Sequence, residues 1–583
     1  MYFGGKNFNM RIRQRSLNFE EKELKEAVDI SHDYGKKAYI TVNNLINSEE
    51  LKSLLNYLEF LKEIKCDAII IQDLGILKYA LSFGIPIHAS VMMNVHNEET
   101  IRRLSELGVT RSVIAREISL AEIKTLSHIS NMELEYFVHG NMCISYGGQC
   151  LYSGIIYGES SNRGRCFTPC RWGFQLYENP KELYYPLAVK DMYMYENLPE
   201  MIDAGITSFK IEGRMGSFEY LSTIVNAYGD SIDRYIEDPI AFNRQLDAKA
   251  LFEQRKRDFS TTYAFGKPGK KNINTYFANT KKASVIEEKS IDLEKVKKLK
   301  LFFANKKAPN IQSSKLNFSV RVNNMEQAKV AIYQKVSRII LSGDTLLPNR
   351  PFSKFDILEL CKNKGDTEIV VGLPHVMKDI DFSEYAQLLS YVGEKIDGIF
   401  CTNLGAVSYF KDYKRFGDIP LNIYNYQTVC FYLKEGLKDF MVSPECKPRE
   451  LISIINECQC PLGIVVYGSP TVMYLEHDLY GDTKYVGNKL SLIDEIGFAH
   501  PIYKDCHERN HILLYKKICL LPILKELYNA GLTYGLIEAC DMCAEELISI
   551  IMLYQEAAED LDRCDELFAK LNYKNLSLGS FEY

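Results

Sequence analysis

Four of the sixteen cysteines, Cys143, Cys150, Cys166 and Cys170, fall within twenty-eight positions in the order C-x6-C-x15-C-x3-C, in a stretch rich in glycine, serine and arginine (CISYGGQCLYSGIIYGESSNRGRCFTPCRW, 143–172). Thiolates on such loops can wrap a soft metal, either zinc or an iron–sulfur cluster. Zinc sites commonly pair C-x2–4-C knuckles, and only Cys166-x3-Cys170 has that form; the wide gaps suit a cubane cluster better. Zinc and free thiols stay open on spacing alone. Disulfides rank lower. The N-terminal MYFGGKNFNMRIRQR lacks the apolar core of a secretory signal, and no run of about eighteen apolar residues is present. The chain is therefore expected in a reducing cytoplasm, away from membranes, where structural disulfides are rare.

Other residues compete for a chemical role. His507-Glu508-Arg509-Asn510-His511 spells the H-E-x-x-H of zinc proteases, which needs both histidines on one helical turn. Here the segment aligns with KELYY (181–185), ahead of YYPLAVKD, which predicts a hairpin instead. No Gly-x-Ser-x-Gly elbow occurs, and Cys540-x2-Cys543 lacks the setting of a redox pair. Gly4-Gly5-Lys6 with Arg11 could cradle an anion. Net charge is −6, which argues against a general nucleic-acid coat, although basic clusters occur at Lys6, Arg11, Arg13 and Arg15 and at Arg163, Arg165 and Arg171.

These residues need a scaffold, and the sequence describes one. KAYITVN (37–43), AIIIQDLG (68–75), IPIHASVMM (85–93), SVIARE (112–117), LEYFVHG (134–140) and SFKIEGR (208–214) read as buried strands separated by helical patterns such as 20–35 and 97–108. That alternation predicts an α/β protein with a parallel sheet, best a (β/α)8 barrel. Function in such barrels sits at the C-terminal strand ends, where Asn43, Asp73, Asn94, Glu117, His139 and Glu212 fall. His139 is a candidate proton carrier, and Glu212 a candidate to hold Arg214 or a substrate hydroxyl. Arg116 and Lys210 are candidate anion contacts, though ordinary ion pairs would explain them equally.

After residue 315 the rhythm repeats. GITSFKIEGRMGSFEYLSTIVNAY (205–228) aligns without a gap on GLTYGLIEACDMCAEELISIIMLY (531–554), and LEYFVHGNMCISYGGQCLY (134–152) on LGIVVYGSPTVMYLEHDLY (462–480). The reading is a duplicated domain: a first TIM-like barrel over 1–240, a small appendage and Lys-rich linker over 241–315, and a second, degenerate barrel over 316–583. The second copy opens with an extra strand–helix unit whose last strand matches YFGG (2–5), so the first copy lacks its first unit and Met1 falls inside a strand. The second copy also lacks the thiols: Thr471 stands at Cys143 and Asp478 at Cys150. The fold does not need them there, which shifts weight toward function in the first copy.

LEYFVHGNMCISYGGQC, NRGRCFTPCRW and SFKIEGRMGSFEYL, with GGKNFNMR, TVNNL, QDLG, ARE and DFSTTYAFGKPG, resemble the signature blocks of the collagenase-like peptidase family, peptidase U-32. The resemblance implies a [4Fe–4S] cluster held by Cys143, Cys150, Cys166 and Cys170, and oxygen-independent hydroxylation of a pyrimidine in tRNA or rRNA. It also implies prephenate as a possible hydroxyl source. Under it His139, Glu212 and Lys210 become catalytic candidates, and Lys6, Arg11, Asn43, Asp73, Asn94, Arg116, Glu117 and Arg214 substrate contacts. Arg11, Arg116, Lys210 and Arg214 would meet a small carboxylate co-substrate. The family's Ser-Thr-Gln-Met-Asn reads Ser90-Val91-Met92-Met93-Asn94 here, which removes one amide from the mouth. Proteolysis of collagen-like or other peptides, or a non-catalytic partner role, are the alternatives. Neither the RNA, the base nor the oligomeric state is fixed by the sequence.

Overall fold

The computed structural model describes residues 1–176, 184–214, 216–255, 257–274, 291–304, 306, 316–481, 490–495, 497–571 and 575–583. Part of the KELYY segment and most of the linker before 316 lie outside them. The first half supplies β1 (Tyr2–Phe3), β2 (Tyr39–Val42), β3 (Ala68–Ile71), β4 (Ile87–Ala89), β5 (Arg111–Val113), β6 (Glu133–Gly140), β7 (Ser145–Cys150), β8 (Phe174–Leu176), β9 (Asp191–Tyr193), β10 (Ser208–Glu212) and β11 (Phe259–Ser260). The second supplies β12 (Asn317–Val322), β13 (Arg338–Leu341), β14 (Glu368–Gly372), β15 (Gly398–Cys401), β16 (Arg415–Gly417), β17 (Phe440–Met441), β18 (Leu462–Gly468), β19 (Thr471–Leu475), β20 (Leu490–Asp494), β21 (Ala499–Lys504), β22 (Asn510–Leu513), β23 (Lys517–Cys519), β24 (Tyr534–Glu538) and β25 (Leu576–Ser577).

In the second half β12 to β18 and β24 pair in parallel all the way round, with β24 joined to both β18 and β12, so this barrel closes on eight strands. The first half gives seven parallel strands in the order β1-β2-β3-β4-β5-β6-β10. No pairing of β10 to β1 occurs among the described residues, and the Tyr2 hydroxyl crosses that opening to Glu212, 2.8 Å away. The second half is thus a closed TIM-like barrel, whereas the first is an open parallel sheet that lacks a counterpart of β12 and its helix Met325–Tyr333, the unit the sequence shows to be missing. The strands read as the sequence implies. Ala68–Ile71 is buried at all four positions because helices cover one face and barrel interior the other. The helix Glu21–Asp33 starts on a reciprocal Glu20/Glu23 cap and buries Leu24, Val28 and Ser31 on one stripe.

The two halves interlock. Gly75 of the first packs on the backbone of Thr428, where an added Cβ would lie 2.5 Å from Thr428 N; Gly405 of the second packs likewise on Asn97 and Thr100. Asn425 Nδ2 donates to Ile46 O (2.8 Å) and Asn97 Nδ2 to Met377 O (2.9 Å), so each barrel offers the other equivalent contacts. A six-stranded antiparallel sheet, β7-β19-β22-β21-β20-β8, then draws strands from both halves. Residues 241–274 also join the first half's wall: β11 pairs β9, and Leu120 N donates to Ala264 O (2.9 Å). No helix among the described residues is long and apolar enough to cross a membrane.

Candidate functional site: four thiols beside a cationic barrel mouth

The four cysteines come from one side of the first half. Cys143 follows β6, Cys150 ends β7, and Cys166 and Cys170 lie in the loop leading to β8. Electrostatically the four act on one another. Burial pushes the Cys150, Cys166 and Cys170 thiols up, Cys170 to about 12, and the neighbouring sulfurs add to each shift. Protonated thiols here are cheap, and their ionisation needs a compensating cation. All four are among the described residues, yet no three of their sulfurs lie within 4.8 Å of one another. Four thiols are the donor chemistry of an iron–sulfur cluster as well as of a tetrahedral zinc ion. Thr168 N–H points at the Cys166 sulfur (3.2 Å), the kind of donor that tunes a ligating thiolate. The donor set thus fits the cluster.

Specific residues hold this loop. Arg171 reaches Asn141 Oδ1 (2.6 Å) and Met142 O (2.8 Å), tying the segment before Cys143 to the one after Cys170. Gly164 has φ +75°, and a Cβ there would sit 2.3 Å from Asn9 O, so only glycine fits. Arg163 clamps Glu50 with two bonds (2.9 and 2.7 Å). From the second barrel, Glu445 accepts from Ser160 Oγ (3.0 Å) and Asn162 Nδ2 (2.9 Å), and β19 pairs with β7 at Met473 and Cys150. The copy that lacks the four-cysteine pattern thus supports the loop of the copy that has it.

Arg11 connects this group to the barrel mouth. Its guanidinium lies 3.1 Å from Glu212 Oε1 and acts on the Cys166 sulfur. Burial alone would raise the Glu212 carboxyl, but Arg11 and Arg214, with the Tyr2 hydroxyl, hold it below the usual range. Arg214 stacks over Tyr2, 5.4 Å from the ring centroid, while its Nε and Nη1 have no hydrogen-bond partner among the described residues. Arg11, Glu212 and Arg214 therefore form one group at the end of β10, beside the cysteines.

The remaining predicted residues are distributed as follows. Lys6 pairs with Glu20 at the surface. Asn43 Oδ1 accepts from Met10 N (3.1 Å) and so shapes the segment that carries Arg11. Arg116 donates to Ser145 O (3.3 Å) at the base of β7, with Nε unpartnered. Glu117 is buried nearby, its carboxyl pushed up to about 7 by desolvation, and its Oε2 has no partner. Asn94 holds a left-handed backbone (φ 56°) with a free Oδ1 in the cavity between the barrels. Asp73 is spent on the barrel–barrel contact: it accepts from Ile46 N (3.0 Å), Gly75 N (2.9 Å), Asn425 Nδ2 (2.6 Å) and Thr428 Oγ1 (2.8 Å). Lys210 is inside the sheet, paired with Glu135, which also takes Arg111 (3.1 Å), and lies 4.1 Å from the Tyr2 ring centroid.

None of the described side-chain contacts of His139 is to a thiol or to the Glu212 carboxylate. A bulge in β6 skips Val138 in the pairing with β10, which turns the next side chain to the other face. His139 then packs among Tyr193, Tyr220, Tyr228 and Phe259, with its nitrogens 3.2 Å from the Tyr220 hydroxyl and 3.4 Å from that of Tyr228. Burial lowers its pKa to about 4, so it is neutral. The H-E-x-x-H segment forms the turn between β21 and β22, with Glu508 at φ 60°, so it lacks the helix a zinc protease requires.

The family model for peptidase family U32 matches residues 1–274 and 323–577, and the chain belongs to that family. It is 34% identical over 282 residues to "tRNA hydroxylation protein P1" of Bacillus subtilis, an alignment spanning 46% of this chain and 66% of that protein. It is 34% identical over 242 residues to a 23S rRNA 5-hydroxycytidine synthase of Escherichia coli (41% of this chain, 36% of that one). It is 30% identical over 252 residues to a collagenase of Porphyromonas gingivalis (40% and 60%). The chain thus spans between about a third and two thirds of these relatives' lengths.

Proposed function

We propose that the chain hydroxylates a pyrimidine base of tRNA or rRNA, using a [4Fe–4S] cluster on Cys143, Cys150, Cys166 and Cys170. The observation that carries this reading is the shared position of Arg11, which faces the cysteine group on one side and Glu212 on the other. Relatives named for tRNA and rRNA hydroxylation at 34% identity support the substrate class. When bound, the cluster supplies a redox-active, Lewis-acidic iron. The chain's own residues do the positioning. Glu212 neutralises Arg11 and fixes its direction, while Arg214 keeps two N–H groups for an incoming anion, either a small carboxylate donor such as prephenate or an RNA phosphate. Glu117, buried beside Arg116 with its carboxyl pushed up to about 7, is a group able to hold or release a proton at neutral pH. The test is nucleoside mass spectrometry of total tRNA and rRNA from cells lacking the chain, complemented with wild type, Cys166→Ala or His507→Ala. Wild type and His507→Ala should restore one hydroxylated pyrimidine and Cys166→Ala should not. An unchanged nucleoside profile in the deletion overturns the reading, and peptide cleavage lost in His507→Ala would favour proteolysis.

A further inference from the structure

The mouth of the second barrel is rich in carboxylates: Asp344, Asp418, Glu538 and Asp541 line its cavity, and Asp505 shares the Tyr474 hydroxyl with Asp344. The repeat places Asp344 where the first copy has Lys6. Arg321 offsets Asp418 (2.6 and 2.9 Å) and Glu538 (3.1 Å) of this set, and none of its described bonds reaches Asp344 or Asp505. Asp344, His511 and Tyr474 line a cavity of about 60 Å3 with Arg321, Asp418 and Glu538. That is room for more than one water, given about 30 Å3 each in the liquid.

At one wall of this cavity a carboxylate oxygen of Asp344, one of Asp505 and a ring nitrogen of His511 all lie within 4.8 Å of one another, and all three residues are buried. Movements of about 1 Å would bring them to the 2.0–2.2 Å bonds of a nitrogen–oxygen metal site. Their surroundings match what orients metal ligands. Thr471 Oγ1 lies 2.9 Å from His511 Nδ1, which can donate to it and leave Nε2 facing Asp505. His375 N–H donates to Asp344 Oδ2 (2.9 Å) and its ring holds the same oxygen. The Tyr474 hydroxyl lies 3.1 Å from Asp344 Oδ1 and 3.1 Å from Asp505 Oδ2 and joins the two carboxylates. The pKa values of His375 and His507 are both raised beside these carboxylates, that of His507 to about 10, and the two rings supply positive charge that a bound cation would displace.

We propose that Asp344, Asp505 and His511 form a binding site for a divalent transition metal at the mouth of the second barrel, separate from the four thiols and open to the adjacent cavity. The three donors come from the ends of β13 and β21 and from β22. His511 is the one member of the H-E-x-x-H segment that takes part; His507 turns instead to Gly343 O (3.2 Å). Imidazole with carboxylates suits zinc, manganese or ferrous iron, and the set is poor for the soft ions that thiolates select.

The experiment is a manganese(II) titration of the full chain, purified anaerobically, followed by the electron paramagnetic resonance of the free ion. One manganese per chain is expected, with a single imidazole nitrogen coupling in the spin-echo spectrum. Asp344→Asn and His511→Ala should each weaken binding at least about ten-fold, and Cys166→Ala should leave it unchanged. Absence of binding in the wild type, no nitrogen coupling, survival of binding in both variants, or its loss in Cys166→Ala would each overturn the proposal. The nitrogen coupling is read on wild type alone, so misfolded variants do not blunt the test. The RNA-hydroxylation reading stands or falls independently on iron and nucleosides.

Discussion

Replacing Glu445 with glutamine tests how the second barrel supports the cysteine loop. The carboxyl is buried, and desolvation raises its pKa from 4.5 to about 7 even though Ser160 and Asn162 donate to it. The folded pKa lies above the unfolded one, so the stability associated with this group is fully present below pH 4.5 and is lost as pH rises to about 7. At about 1.36 kcal/mol per pK unit, the charged form costs about 3 kcal/mol above that window. Glutamine keeps an oxygen for Ser160 Oγ and Asn162 Nδ2 and cannot ionise. Glu445→Gln should therefore match wild type near pH 4.5 and exceed it by about 2–3 kcal/mol near pH 8. The assay is urea unfolding of the metal-free chain, followed by fluorescence of Trp172, the sole tryptophan, which is buried two residues from Cys170 and edge-on to Tyr152 and Tyr157. A difference between variant and wild type that stays constant from acid to alkaline pH would refute the argument, because a conserved hydrogen bond without a titrating charge has no such slope.

Other outcomes follow from the same contacts. Gly164→Ala forces a Cβ onto Asn9 O in a left-handed conformation and should reduce bound iron as Cys166 shifts, measured against the urea midpoint. Asp73→Ala leaves four donors at the barrel–barrel contact unmatched and should cost about 2–4 kcal/mol in urea denaturation without altering metal content of the folded fraction. Arg11→Ala leaves Glu212 buried without its nearest cation; iron should be retained while hydroxylated product falls at least about ten-fold in the nucleoside assay.

Much of the scaffold was legible because parallel strands between helices are continuous apolar runs: 68–71, 134–140 and 208–212 fall where their composition places them. The repeat was legible as well, down to the turn that H-E-x-x-H occupies. What alignment cannot show is how copies dock. It equates Asp73 with a position in the second copy but gives no sign that Asn425 and Thr428 would take up its oxygens. The sheet pairing β7 with β19 is hidden for the same reason, since no local pattern records a partner 300 residues away. The bulge in β6 beside His139, which packs among Tyr193, Tyr220 and Tyr228, leaves no composition signal. Glu445 went unnoticed because a lone glutamate after a short strand looks like surface, and only its burial against Ser160 and Asn162 marks it out.

The most direct test of the account is an iron and acid-labile sulfide assay on the chain purified without oxygen, with its visible spectrum, alongside Cys166→Ala. The account predicts about four iron and four sulfide per chain in wild type, the content of one cubane cluster, and their loss in the variant while Trp172 fluorescence reports an intact fold. Wild type that folds but holds no iron, or holds iron equally without Cys166, would contradict it.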